Sequence, residues 1–373
     1  MNHTRKMSKA VLAGLIGLVV MAVNGQALAQ GTWTTKAPMP TARYGPGAGV
    51  INGMLYVVGG ADILNACSYS GVLEVYDPTT DTWAAKAPMP TTRESLGVGV
   101  VNDILYAVGG ATGCGAYTST VEAYDPATNT WMTKAPMSTP RYQATVAVAN
   151  GILYAVAGGN SSGLLATVEA YDPATDTWTP RASIPTPRNV FGLGVVNGIL
   201  YAVGGATTAG MTGSVEAYDP STDTWTTKAT MPTPRQSLAV GVVDGILYAV
   251  GGSCISGDCA IVEAYDPATD SWTTVTSMPT ARCCLAIGVV NDILYAVGGF
   301  ANVSPYLQAV NEAYTPVVPV ALIIDEDSID NGNPPNFFSA SNVNDQIADI
   351  GLRAQLPFFA ANVGQRSPSV PAR

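Results

Sequence analysis

Histidine is almost missing from this chain. The only one, His3, lies near the start of the 373 residues, in a segment that carries the marks of a cleaved leader. A processed chain would lack the usual neutral-pH general base and the commonest nitrogen ligand for metals. Basic charge is also scarce, with 17 Lys and Arg against 27 Asp and Glu. Phosphate binding needs a basic stripe, so no nucleic-acid partner is expected. Beyond the first thirty residues no run is long and apolar enough for a bilayer span, which takes about 20 residues. A Gly-x-Ser-x-Gly elbow is absent, and no close carboxylate pair stands apart from the repeated turns described below.

The beginning of the chain reads as an address label. Arg5, Lys6 and Lys9 are followed by an apolar stretch from Val11 to Val23, and Ala27-Leu28-Ala29 has the small-x-small pattern that a signal peptidase cuts. Residues 1–29 are therefore read as a signal peptide, cleaved near Ala29. The expected location is secreted or periplasmic, with no stable membrane span in the mature chain.

What is abundant is repetition. Trp33, Trp83, Trp131, Trp178, Trp225 and Trp272 recur at intervals of 47 to 50 residues, as the sequence numbers give them. Arg43, Arg93, Arg141, Arg188, Arg235 and Arg282 recur with them, and so do Gly-Gly pairs at 59–60, 109–110, 158–159, 204–205, 251–252 and 298–299. A fixed period of this length means stacked supersecondary units. Within residues 235–281 an alternating strand reaches Asp244-Gly245, a type I′ hairpin signal. Ile246 to Gly252, Ile261 to Tyr265 and the Trp272 segment give three more short strands, with turn chemistry at Asp266 to Asp270. Four antiparallel strands per unit describe a propeller blade. Helical repeats would need a 3.6-residue periodicity that is absent.

The Gly-Gly pair, the Glu-Ala-Tyr-Asp-Pro run and the Trp six or seven residues after that Tyr resemble the kelch motif. The resemblance covers Trp33 to Tyr314. It implies an all-β, six-bladed kelch-type β-propeller over residues 30–316. The sixth unit, begun at Arg282, never reaches a Trp strand, while a spare one, Gly31 to Lys36, precedes the first Arg. That N-terminal strand is expected to close the last blade and remove its free edge. Residues 317–373 are read as a linker and a short α/β or partly disordered tail, with a strand expected at Ala321–Ile324 and an amphipathic helix from Val343 to Leu356. This tail is read either as docking on the propeller or as the start of a further domain.

Residues present in all six units are read as structural, because a function that needs one site cannot be assigned to a residue that occurs six times. Function is expected where the blades differ. The strand two–three loops and the inter-blade connections open on one face, and Tyr44, Tyr69, Tyr117, Tyr142, Tyr306, Phe300 and, nearer the channel, Phe191 all fall there. The residues that follow each Arg should ring the channel mouth: Tyr44, Glu94, Tyr142, Asn189, Gln236 and Cys283. Two aromatics, a carboxylate and two amides can stack on and hydrogen-bond a polar ligand such as a sugar.

All six cysteines lie on the same face, and an even number fits an oxidising compartment. Cys67 and Cys114 occupy equivalent loops of blades one and two and could staple them. Cys254, Cys259, Cys283 and Cys284 allow three pairings, which sequence leaves open. Cys254–Cys259 would close a small loop, whereas Cys283–Cys284 would demand an awkward peptide geometry. No metal or cofactor is expected. The leading reading is a monomeric extracytoplasmic module that binds a protein or a glycan. The alternative is a sugar-active enzyme with its site at the channel mouth, because six-bladed periplasmic sialic acid mutarotases share the blade number, although none of their site residues is matched beyond generic Arg and Glu.

Overall fold

The structure, a computed structural model, describes residues 31–61, 69–143 and 145–317. The expected signal peptide, Cys67 and the C-terminal tail lie outside the described residues. Six four-stranded antiparallel sheets form a closed ring, and no helix occurs among the described residues. Blade one shows the pattern, with strands Gly47–Ile51, Met54–Val58, Leu73–Asp77 and Thr82–Lys86 in order from the axis outward. Its first hairpin turns at Asn52 and Gly53, both with positive φ (49° and 75°), as a type I′ turn requires.

The strand patterns follow from where each strand sits. The second strand of blades two to six reads Ile-Leu-Tyr-Ala-Val, and its last four residues are buried. Such a strand is covered on both faces, which explains a nearly continuous apolar run in place of strict alternation. The outermost strand is mostly exposed and keeps its Trp and its last Lys half-buried. Neighbouring blades share their core. One cluster joins Tyr56, Val58 and Val75 of blade one to Leu105, Ala107 and Tyr124 of blade two.

Ring closure follows the sequence expectation. Thr32–Lys36 pairs antiparallel with Asn311–Thr315, in the register Trp33 to Tyr314. The two rings lie 5.0 Å apart, and Trp33 Nε1 donates to the Thr276 carbonyl of blade five at 3.0 Å. Every other repeat Trp makes the same reach: Trp83 Nε1 donates to the Ala37 carbonyl, and Trp131 Nε1 to that of Ala87.

The six Arg–Glu pairs are buried locks within each blade. Arg93 is fully covered and donates to Glu122 at 2.7 Å and to the carbonyls of Gly109, Thr120 and Ala107. Burial pushes the Arg93 guanidinium down to about 10 while Glu122 opposes the shift, so the group stays cationic at neutral pH. On the turn face a second link repeats. The Tyr76 hydroxyl donates to Asp81 at 2.6 Å, and the same carboxylate oxygen accepts from the Ala37 backbone N–H of the preceding blade.

One repeat marker needs a correction. In blade three the place of the first glycine is taken by Ala157, with φ 52°, and that of the second by Gly158, so the 158–159 pair stands one residue out of register. The close approach is real at the other glycines. A Cβ on Gly59 would meet the Arg93 carbonyl at 2.7 Å, and one on Gly60 would meet the Tyr44 carbonyl at 2.9 Å.

Candidate functional site at the channel mouth

On the loop face each blade carries a small crown. The residue after each Arg bridges to the residue that follows the strand-two glycines: Tyr44 to Ala61, Glu94 to Ala111, Tyr142 to Gly159, Asn189 to Ala206, Gln236 to Ser253 and Cys283 to Phe300. The loop then turns back on itself and offers Tyr69, Tyr117, Leu164, Met211, Asp258 and Leu307 as its return partners. Propeller curvature brings the return residue of one blade against the residue after Arg of the next. Hence Tyr117 stacks on Tyr142 with ring centroids 4.4 Å apart, and burial first, then Glu94 of the next blade, raises the Tyr69 phenol.

Below the crown, the next residue along each chain forms a belt around the channel. Gly45, Ser95, Gln143, Val190, Ser237 and Cys284 all have φ between 47° and 63°. Backbone hydrogen bonds link blade to blade through them, from Gly45 to Cys284, Ser95 to Gly45, Gln143 to Ser95, Ser237 to Val190 and Cys284 to Ser237. A β-branched Val in the left-handed region is a true outlier, held there by its neighbours. Below the belt the wall is apolar, formed by Ala48, Val98, Val146, Leu193, Val240 and Ile287 of the six innermost strands. The whole encloses a cavity of about 530 Å³ that opens at the mouth.

Of the six residues expected at the mouth, Tyr44 and Glu94 line this cavity, together with the belt residues Ser95, Gln143, Ser237 and Cys284. Asn189 reaches the belt by donating from Nδ2 to Gln143 Oε1 at 2.9 Å. The sequence signal for the belt was its position two residues after each Arg. No shared residue type marks it, because the backbone does the joining.

The crown is lopsided. From blade six round to blade three it presents Tyr306, Phe300, Tyr44, Tyr69, Tyr117 and Tyr142. Phe300 stacks on Tyr306 at 6.2 Å and meets Tyr44 edge-on at 6.5 Å. Tyr306 is 52% exposed, and the others are half-buried. Asn189, Gln236, Ser253 and Asp258 occupy the opposite arc, beside the return residues Leu164 and Met211. Beneath the aromatic arc, Glu94 accepts a hydrogen bond from the Tyr44 hydroxyl, while its Oε2 is buried with no partner. Burial raises the Glu94 carboxyl above its usual range and the Tyr44 bond works against that rise. Burial first, then Glu94, pushes the Tyr44 phenol up to about 12.

The cysteines divide into two kinds. Cys254 and Cys259 form a disulfide with Cα atoms 5.9 Å apart, in the loop of blade five. Cys114 is disulfide-bonded as well, and Cys67, its expected partner, lies outside the described residues. Cys283 and Cys284 are free thiols with their sulfurs 3.2 Å apart.

Comparison with known proteins gives two kinds of match. The KLHDC2/KLHL20/DRC7 Kelch-repeats domain matches residues 18–205, and the Kelch motif matches residues 187–232 and 234–279. No curated protein matches the chain. Among solved structures, one titled "Structure of YjhT" superposes with a TM-score of 0.63 at 15% identity, covering 74% of this chain and 95% of that one. At that identity the likeness concerns the fold alone.

Proposed function

The chain belongs to the kelch-repeat family, and from that premise we propose that it is an extracytoplasmic binding module that takes a glycan or protein ligand at its loop-rich face. The observation that carries this reading is the lopsided crown, with six aromatic rings on one arc and none on the other, where two amides and a carboxylate stand beside Leu164 and Met211. Exposed aromatic faces contribute large contact area at little conformational cost, and polar groups opposite them fix orientation. A pyranose ring offers the matching pair of surfaces, an apolar C–H face and a hydroxyl edge. Glu94 Oε2, buried without a partner, supplies an acceptor that such a hydroxyl would satisfy. The extracytoplasmic part of the proposal draws support from the leader-like first 29 residues and from the disulfide bonds at Cys114 and Cys254–Cys259.

A glycan array beside a peptide array tests the reading, with Tyr44→Ala/Glu94→Ala/Tyr142→Ala as the comparison. Loss of a bound class in the triple variant supports it, and binding that survives unchanged removes this site. The raised Glu94 carboxyl favours one second reading, a sugar-active enzyme with Glu94 as its proton donor. Turnover of a sugar that fails in Glu94→Gln would replace the binding reading with that one.

A further inference from the structure

Cys283 and Cys284 occur in one blade only. The five other blades place Tyr-Gly, Glu-Ser, Tyr-Gln, Asn-Val and Gln-Ser at the same two positions. Adjacent residues in extended backbone point their side chains to opposite faces. Here the first residue sits in a bridge and the second in the left-handed region, with φ 55°, and this bend turns the two sulfurs toward each other. Their backbones are fixed on both sides. Cys283 exchanges two hydrogen bonds with Phe300, and Cys284 donates to Ser237 and accepts from Gly45. The pair is thus held with sulfurs 3.2 Å apart by the crown and the belt, one residue in each.

We propose that Cys283 and Cys284 are a site of reversible oxidation, closing to a vicinal disulfide by exchange with a small-molecule disulfide that enters the channel mouth. Cys284 lines the cavity while Cys283 is buried, so Cys284 is the sulfur that attacks. Its thiolate attacks one sulfur of the incoming disulfide, forms a mixed disulfide and releases one thiolate. Cys283 then loses its proton to solvent and attacks Cys284 Sγ, which forms the vicinal bond and releases the second thiolate. Two electrons pass from the cysteine pair to the incoming disulfide, which leaves as two thiols. The order agrees with the hydrogen bond between the two sulfurs, which lowers Cys284 and raises Cys283.

The bond so formed is a switch, not a staple. Disulfides usually span Cα separations of about 4.4–6.8 Å, and Cys254–Cys259 at 5.9 Å falls within that range. Adjacent residues cannot exceed about 3.8 Å. The vicinal bond is therefore strained and more readily reduced than its neighbour.

The test equilibrates the full chain with excess oxidised glutathione, alkylates it after denaturation and maps the peptides by mass. The expected result is a peptide carrying residues 283 and 284 that is unalkylated and lighter by two hydrogens, and that opens at lower dithiothreitol than Cys254–Cys259 does. Cys283→Ser should trap glutathione on Cys284, whereas Cys284→Ser should leave Cys283 unmodified while the protein is folded. Two alkylated cysteines after oxidation would overturn the proposal, as would stable glutathione on the parent chain or pairing with Cys254 or Cys259. Circular dichroism of both Ser variants keeps a folding failure from passing as a result.

Discussion

Blade two contains two carboxylates with opposite surroundings, and the contrast separates what builds this molecule from what it offers. Glu122 meets Arg93 at 2.7 Å and the Thr91 hydroxyl at 2.8 Å, in a buried lock that recurs in every blade. Glu94 is joined to Arg93 by a peptide bond yet receives nothing from it. It has one phenol as partner and one oxygen with none. Burying a charge costs several kcal/mol unless the charge is paired. The repeat satisfies six carboxylates with Arg and leaves Glu94, like Asp258 on the same face, with an unpartnered buried oxygen, which sets these two apart from the architecture.

The architectural side should break first and hardest. Removing residues 30–37 takes away the partner of Asn311–Thr315 and the Trp33 contact with blade five. The expected loss is on the order of a small domain's whole stability, about 5 kcal/mol or more, with a broadened calorimetric transition. A truncated chain that melted cooperatively at the parent temperature would defeat the closure. Next in size, Arg93→Ala leaves Glu122 buried without its counter-charge and removes the guanidinium bonds to the Gly109, Thr120 and Ala107 carbonyls. The expected cost is about 3–5 kcal/mol in denaturant unfolding. A cost below about 1 kcal/mol, the value typical of exposed ion pairs, would show that the lock contributes no more than a surface bridge.

The turn-face links offer a smaller test with a control built in. Asp176 accepts from the Tyr171 hydroxyl and the Ala135 N–H, and these bonds hold its carboxyl below the usual range, as they do at Asp81, Asp223 and Asp270. A depressed native pKa contributes stability that is complete above the unfolded value of about 3.9 and is lost as pH falls through the native one. Stability should therefore decline below about pH 4. Blade two already has Asn129 in this place, with both bonds intact. Asp176→Asn should keep the link and flatten the acid decline by one group's share, read from denaturant midpoints between neutral pH and pH 2. An unchanged slope would remove Asp176 from the acid response.

How much of this could be read from the sequence follows from the same division. The period, the blade count, the closing strand and the type I′ turns were legible because the same local chemistry recurs in every unit. The recurring Arg set was legible as structural for the same reason. Blade three misled the glycine register, since Ala157 adopts a positive φ that only glycine would have announced. The belt was illegible in another way. Gly45, Ser95, Gln143, Val190, Ser237 and Cys284 share a conformation and a backbone bond, not a side chain, and no residue-type pattern reports that. The meeting of Tyr117 with Tyr142 depends on how loop return and blade rotation combine, which lies beyond the reach of a one-dimensional repeat.

The smallest effect brings the two carboxylates of blade two back into one experiment. Burial raises the Glu94 carboxyl above its ordinary value of 4.5. The native state therefore holds the proton more tightly than the unfolded chain, and ionisation works against folding as pH rises past that value. Below pH 4.5 both states are protonated and the effect disappears. Glu94→Gln, which keeps an acceptor for Tyr44, should match the parent in acid and be slightly more stable at neutral pH. Glu122→Gln should do the reverse, leaving Arg93 buried without its counter-charge at a cost of about 3 kcal/mol at neutral pH. One substitution type in one blade should thus carry opposite signs. If Glu94→Gln also destabilised the protein at neutral pH, Glu94 would belong with the repeat as a structural group, and the mouth would lose its proposed acceptor.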